Sequence, residues 1–151
     1  MKRVYPSKRD GWLVVLLWAA VAAMLFAAGR LWESPLPFAF RALISVLLVM
    51  LSVFILWTLY GTRYTLTEHT LIIQSGPFRW VIELQSITEV FPTRNPLSSP
   101  ACSLDRLMIR RGEYLRGIMI SPQDKSGFLT VLVARAPGLK LDGYRVTRDN
   151  P

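Results

Sequence analysis

The sequence has little of what most enzymes and metalloproteins need. Among its 151 residues there is one cysteine, Cys102, and one histidine, His69. A single cysteine excludes an intrachain disulfide and any cysteine-rich metal site. The sequence also lacks a glycine-rich phosphate loop, zinc-ligand spacing, a nucleophile elbow and a dinucleotide-binding fingerprint. We therefore expect a non-enzymatic protein with no catalytic residue, no metal and no cofactor.

Charge is absent from two long stretches near the N-terminus. Residues 11–29 and 42–62 contain no Asp, Glu, Lys or Arg. At about 1.5 Å per residue, a helix formed by either stretch is long enough to cross a hydrocarbon core about 30 Å thick. Two prolines separate the runs and cannot continue a helix. The pattern predicts a transmembrane helical hairpin over residues 11–62, with helices at about 11–32 and 39–62.

Neither run has an ionisable residue in its interior, whereas ion and substrate pathways through a membrane usually contain such residues. The hairpin is therefore predicted to anchor the chain and not to transport a solute. Alanines in the first run allow another helix to pack closely. The second helix of the hairpin and a second copy of the chain satisfy this equally, so a homo-oligomer stays open. A cleaved signal peptide is disfavoured, because its apolar segment is shorter than this run.

Basic residues around the two runs predict the topology. Four precede the first run within residues 1–10, whereas the connecting loop has two, Arg30 and Arg41, and Arg63 follows the second run. Positive charge favours the cytoplasmic side of a membrane. We expect a cytoplasmic N-terminal segment at 1–10 and a cytoplasmic C-terminal domain. The rest of the net charge of +8 either attracts anionic lipid headgroups or keeps that domain soluble.

From residue 63 onward the pattern changes to short alternating segments separated by turn residues, which is typical of β-strands. Ser121 and Pro122 then begin one amphipathic helix, with Ser121 as its cap, and Pro137 ends it. Residues after Leu141 have no strong pattern and are expected to fray. The predicted strands are 64–67, 71–74, 78–84, 87–91, 104–111 and 114–120.

This order of elements suits a mainly-β PH-like barrel with one C-terminal amphipathic helix, at residues 63–140, followed by a tail at 141–151. Three motifs resemble the bacterial YyaB-like PH domain family: Asn95-Pro96 in a proline-rich loop, Ser-Leu-Asp-Arg at 103–106, and Ile-Ser-Pro at 120–122. The resemblance extends from Tyr64 to about Leu139. It implies a PH-like barrel without implying a ligand, and the predicted topology places that barrel at the cytoplasmic face of the bacterial inner membrane.

Arginines in or near one loop and one hairpin form the most informative group of polar residues. Guanidinium forks match phosphate and carboxylate groups, so the group predicts binding of anionic lipid headgroups or of a membrane or cytoplasmic protein. A solvated surface is the simpler alternative. Few aromatic residues accompany these arginines, so nucleic acid is not expected. The candidate binding residues are Arg94, Asn95, Ser98, Ser99, Arg106, Arg110, Arg111 and Arg116.

Asp105, within the same segment, is predicted to accept hydrogen bonds from backbone N–H groups of the proline-rich loop. Two further functions remain open. One relative type within the resembled family is associated with self-protection against a secreted peptide bacteriocin, which makes an immunity-type membrane protein the first alternative. A structural subunit of a membrane complex is the second.

Overall fold

A computed structural model describes residues 2–94, 103–112 and 114–148, excluding the side chains of 114–116. It contains two long helices, α1 (Gly11–Arg30) and α2 (Phe38–Gly61), and a shorter one, α3 (Lys125–Arg135). The strands are β1 (Arg3–Pro6), β2 (Arg63–Leu66), β3 (Thr70–Ser75), β4 (Phe78–Glu83), β5 (Ile87–Thr93), β6 (Arg106–Arg111), β7 (Tyr114–Ile120), β8 (Leu139–Asp142) and β9 (Arg145–Arg148).

Helices α1 and α2 form the predicted hairpin of apolar helices, joined by one 3-10 turn at Leu31–Glu33. They pack on each other, and the Ser45 hydroxyl of α2 donates to the Ala28 carbonyl of α1 at 3.3 Å. Only 11% of the most apolar window of each helix is buried inside the protein. Both helices are thus long and apolar enough to cross a membrane, and they expose their apolar side chains as core helices of soluble proteins do not.

The first sheet has the order β1-β2-β3-β4, with all neighbours antiparallel. Strand β1 was not predicted, because it has four residues, ends in a proline and lies within a segment that was interpreted from its charge alone. It precedes α1, yet it pairs with β2 beyond α2, so that Tyr5 lies opposite Tyr64. The chain therefore runs from the first sheet into α1 and comes back to the same sheet after α2.

The second sheet has the order β7-β6-β5-β9-β8. The prediction of a frayed tail is wrong for residues 141–148, because β8 and β9 form a hairpin whose second strand pairs with β5. Val146 on β9 is buried opposite Val90, and this burial fixes the hairpin. The ordered β structure thus extends beyond the predicted domain of 63–140 at both ends.

The mainly-β domain with a helix near its C-terminal end is confirmed, but its two sheets are not closed into one barrel. Their inner faces and α3 share one core, whose largest fully buried side chains include Tyr64 and Phe128. Helix α3 begins at Lys125, and its cap is Asp124, which accepts a hydrogen bond from the Gly127 N–H at 2.9 Å. The prediction that Ser121 caps this helix is wrong.

Ser121 has another role, in a buried cluster of hydroxyl groups. The Ser7 hydroxyl lies 3.1 Å from both the Tyr64 and the Ser121 hydroxyls, and the Ser121 N–H donates to the Tyr64 hydroxyl at 3.1 Å. Buried polar groups are costly unless they are hydrogen-bonded. The cluster therefore fixes the N-terminal segment, β2 and the end of β7 to one another.

Candidate functional site

The structure does not bring all of the predicted arginines together. Arg106 is only 7% exposed, and its Nε donates to the Ser103 carbonyl at 2.6 Å. Arg110 lies four residues farther along β6, which is about 13 Å in a strand. Arg106 is thus part of the interior at one end of this strand, while Arg110 is exposed at the other end.

Arg110 shares a carboxylate with a second arginine. Its Nη1 lies 3.1 Å from Glu89 Oε2, and its guanidinium lies 4.9 Å from the centre of the Phe91 ring. On the other side of Glu89, Arg145 Nη2 lies 2.5 Å from Oε1. One carboxylate therefore faces two guanidinium groups, which partly neutralises this surface of the second sheet.

The remaining candidates are spread over the same sheet or lie outside the described residues. Arg94 is exposed at the end of β5, and Arg111 is half-buried at the end of β6. Three candidates of the loop, Asn95, Ser98 and Ser99, lie outside the described residues. The side chain of Arg116 is not described either. The described members of the set are therefore not one compact site.

A second basic surface lies on the outer face of the first sheet. Antiparallel pairing sets Arg63, Gln74 and Arg79 side by side in one row across three strands. The Arg63 Nε donates to Gln74 Oε1 at 3.1 Å. We call these three residues the Arg63 row. It borders a shallow concavity of about 430 Å³, whose lining residues also include Lys2, Val4, Thr65 and Ile72.

The cations of this surface have no carboxylate partner within the described part of the chain. Lys2, Arg63 and Arg79 are exposed, and none of them takes part in an ion pair with a described acidic residue. Arg63 is also close to the helical hairpin, because it lies only two residues after the end of α2 at Gly61. The Arg63 row thus combines unneutralised positive charge with closeness to the end of an apolar helix.

The row was not predicted from the sequence, although a signal for it exists. Gly76 and Pro77 form a two-residue turn between β3 and β4, which places Gln74 opposite Arg79. The Glu68-His69 turn between β2 and β3 likewise sets Arg63 opposite Gln74. The registers of the two hairpins, combined with the alternation of side chains along a strand, would have placed these residues on one face.

The loop to which Asp105 was predicted to bind lies, at residues 95–102, outside the described residues. The described partners of Asp105 are two lysines, Lys8 at 2.9 Å and Lys125. Among the described contacts beside this loop, Asp10 accepts from the Leu104 N–H at 2.8 Å and from the Ser103 hydroxyl at 2.7 Å. These contacts tie the start of α1 to the turn before β6.

The same contacts shift the pKa values of three side chains. The hydrogen bonds from Lys125 and Lys8 lower the pKa of Asp105. Partial burial by itself would raise the pKa of Asp10, but the hydrogen bonds from Leu104 and Ser103 outweigh it, and the pKa is lowered. The hydrogen bond to Asp105 raises the pKa of Lys8. All three groups are thus held in their charged forms, as expected of a structural junction.

No group of three or more His, Cys, Asp or Glu residues in the described ranges is arranged to hold a metal ion. His69 is exposed in the turn between β2 and β3. The polar groups that the fold assembles in the described ranges are basic surfaces and hydrogen-bonded junctions.

Comparison with known proteins agrees with this architecture. Residues 62–136, about half of the chain, match the family model described as bacterial PH domain. Neither the curated proteins nor the solved structures gave a match. The matched segment begins directly after α2 and ends directly after α3. Residues 62–136 thus form a domain of a bacterial PH-like family, which follows two long apolar helices.

Proposed function

We propose that this protein is a membrane-anchored, non-enzymatic binding module at the cytoplasmic face of the bacterial inner membrane. Its ligand is the phosphate-bearing headgroup of an anionic lipid. The observation that carries the proposal is a set of three exposed cations around one concavity, Lys2, Arg63 and Arg79, which have no described acidic partner. Of these, Arg63 lies two residues after the end of α2.

Membrane anchoring is supported by the two apolar helices and by the pairing of β1 with β2. The residues before α1 and after α2 belong to the same sheet, which supports a pair of helices that crosses the bilayer and returns to the side it left. The excess of basic residues before α1 favours the cytoplasm for that side. We propose N-terminal and C-terminal ends that are both cytoplasmic, and membership of the YyaB-like branch of the family on the three motifs described above.

Lipid recognition is supported by the chemistry of the Arg63 row. Two guanidinium groups flank an amide side chain, and each of them can donate two parallel hydrogen bonds to a phosphate. Because the helices hold the row beside the leaflet, the headgroups are present at high effective concentration. A basic residue near an anionic leaflet contributes about 1 kcal/mol. Two such residues correspond to about thirtyfold in affinity.

The test compares two variants with equal changes in net charge. Full-length protein in neutral detergent is titrated with dioleoyl phosphatidylglycerol or with phosphatidylcholine, and bound lipids are counted by native mass spectrometry. The Arg63→Gln/Arg79→Gln variant should bind phosphatidylglycerol about thirtyfold more weakly than the natural protein. Binding of phosphatidylcholine should not change.

The control is Arg110→Gln/Arg111→Gln, which removes two arginines of the predicted cluster from the second sheet. This variant should retain its affinity for phosphatidylglycerol. If the control loses affinity and the Arg63/Arg79 variant does not, the ligand surface is the predicted cluster. If the natural protein binds both lipids equally, the proposal of anionic lipid recognition is wrong.

A further inference from the structure

The β3–β4 turn lies along one stripe of α2. The hydroxyl of Ser75 is 3.0 Å from that of Thr62, directly after the helix. Gly76 packs on Thr58, and the rings of Phe78 and Phe54 meet edge to face, 6.3 Å apart. Residues 62, 58 and 54 are four apart, so they share one side of the helix. The turn therefore runs alongside the helix, away from its end and toward its middle.

The contact with Phe54 sets how far the turn reaches. Phe54 lies seven residues before Gly61, which is about 10 Å along a helix axis. Helix α2 has 24 residues and is about 36 Å long, against a hydrocarbon core of about 30 Å. A centred helix extends about 3 Å beyond the core at each end. Phe54, and the Phe78 ring that packs on it, therefore reach below the level of the lipid headgroups.

The side chains at this turn have the composition of a membrane interface. Phe78 is 51% exposed and Trp80 is 36% exposed, although the strand alternation directs both toward the inner side of the sheet. Their ring centres are 5.9 Å apart. Arg79, between them in sequence, points to the outer face with Arg63. Aromatic rings with arginines that reach toward phosphates are typical of the boundary between water and lipid.

We infer that Phe78 and Trp80, at the exposed edge of the first sheet, insert into the interfacial layer of the same leaflet from which α2 emerges. The inference rests on the proposal that α2 spans the membrane. It goes beyond lipid recognition, because an inserted edge fixes the orientation of the whole domain on the bilayer even where no anionic lipid is present. The Arg63 row is then held at the depth of the phosphates.

Depth-dependent quenching tests this inference. A fluorophore is attached to single cysteines in full-length Cys102→Ser protein, at Phe78→Cys, at Met50→Cys within α2, and at Tyr144→Cys in the exposed β8–β9 turn. Each protein is placed in nanodiscs of phosphatidylcholine that hold one chain per disc. Nitroxide on lipid chains should quench the probe at 78 at least threefold more strongly than the probe at 144, and aqueous iodide should show the reverse order.

The outcomes separate the inference from the proposal on which it rests. If the probe at 50 is quenched by lipid but the probe at 78 is as accessible to iodide as that at 144, the edge is in water and the inference is wrong. If the probe at 50 is not quenched by lipid, membrane anchoring itself is refuted. If the probe at 78 is shielded only in discs with two chains, a second copy covers the edge, and insertion into lipid is overturned.

Discussion

At the scale of single residues, Gly76 controls how closely the first sheet approaches α2. Its φ is +53°, and a Cβ at this position would lie 2.9 Å from Thr58 Cγ2 and 3.3 Å from Thr58 Cα. Gly61 of α2 also packs against Gly76, since a Cβ added to Gly61 would lie 3.5 Å from Gly76 Cα. The close packing of the β3–β4 turn on the helix therefore requires a residue without a side chain.

Gly76→Ala should destabilise the protein by about 2 kcal/mol or more, because a left-handed residue with a Cβ costs about 1–2 kcal/mol and the methyl group also meets Thr58. Gly143→Ala is the matched control, since Gly143 has a φ of +58° but no other atom within 4 Å of the added Cβ. Thermal unfolding in detergent measures both losses. Equal losses would contradict the tight contact.

Asp10 and Asp105 make stability depend on pH. Their pKa values in the folded protein lie below the ordinary value of 3.8, so the unfolded chain binds more protons in acid. Stability is therefore fully present above the ordinary pKa and is lost as the pH falls through the folded values. The raised pKa of Lys8 acts only in strong alkali, where its contribution is lost as the pH rises.

Unfolding in detergent between pH 2 and pH 7 should show this loss below about pH 5. The Asp10→Asn/Asp105→Asn variant should be less stable than the natural protein at pH 7, and its stability should fall less steeply in acid. Parallel pH profiles for the two proteins would show that these carboxylates do not control the acid transition.

At the scale of the elements, β1 shows how one face of a short strand is stabilised. Tyr5 is 8% exposed, its ring meets Phe128 edge to face at 5.4 Å, and its hydroxyl donates to the Gly127 carbonyl at 3.3 Å. Val4, its neighbour on the other face, is 57% exposed. The strand is thus joined to α3 as well as to β2.

Tyr5→Ala should cost about 3 kcal/mol of unfolding free energy, which is typical of removing a buried ring. Val4→Ala in the same strand should cost no more than about 0.5 kcal/mol. Chemical denaturation of the full-length variants measures the difference. Similar values for both would mean that β1 does not pack on α3 in solution.

The elements that sequence analysis predicted correctly are those with a local signal. Long uncharged runs are sufficient for α1 and α2, and alternation with turn residues is sufficient for β2 to β4. Strand β1 has no such signal, because Tyr5 is buried only through partners about sixty residues or more away. The lysine partners of Asp105 have no local signal either, because they lie 97 and 20 residues away along the chain.

The candidate site was harder to predict than the fold. Arginine clusters in sequence, such as Arg110 and Arg111, attract attention because the residues are adjacent. The structure instead shows that a neighbouring strand supplies Glu89 to Arg110. Arg63 and Arg79 are sixteen residues apart in sequence and become neighbours of Gln74 only through two hairpin registers. Whether a cation is neutralised is a property of the packed sheet.

At the scale of the whole molecule, the pairing of β1 with β2 leads to a prediction about topology. A reporter that is active only in the cytoplasm should be active when fused after Pro151, and inactive when inserted between Ser34 and Leu36. Both results follow if the two helices cross the membrane in opposite directions. Activity of the reporter in the loop, or its inactivity at the C-terminal end, would refute the proposed arrangement.

The pairing of β1 with β2 also has a consequence for biosynthesis. Strand β1 leaves the ribosome before the two long helices, but its partner is made only after both of them. During that interval, β1 has an unpaired edge and Tyr5 has no core in which to be buried. The first sheet can therefore be completed only after both long helices have been synthesised. A chain that stalls before residue 66 keeps an open strand with which neighbouring chains can pair.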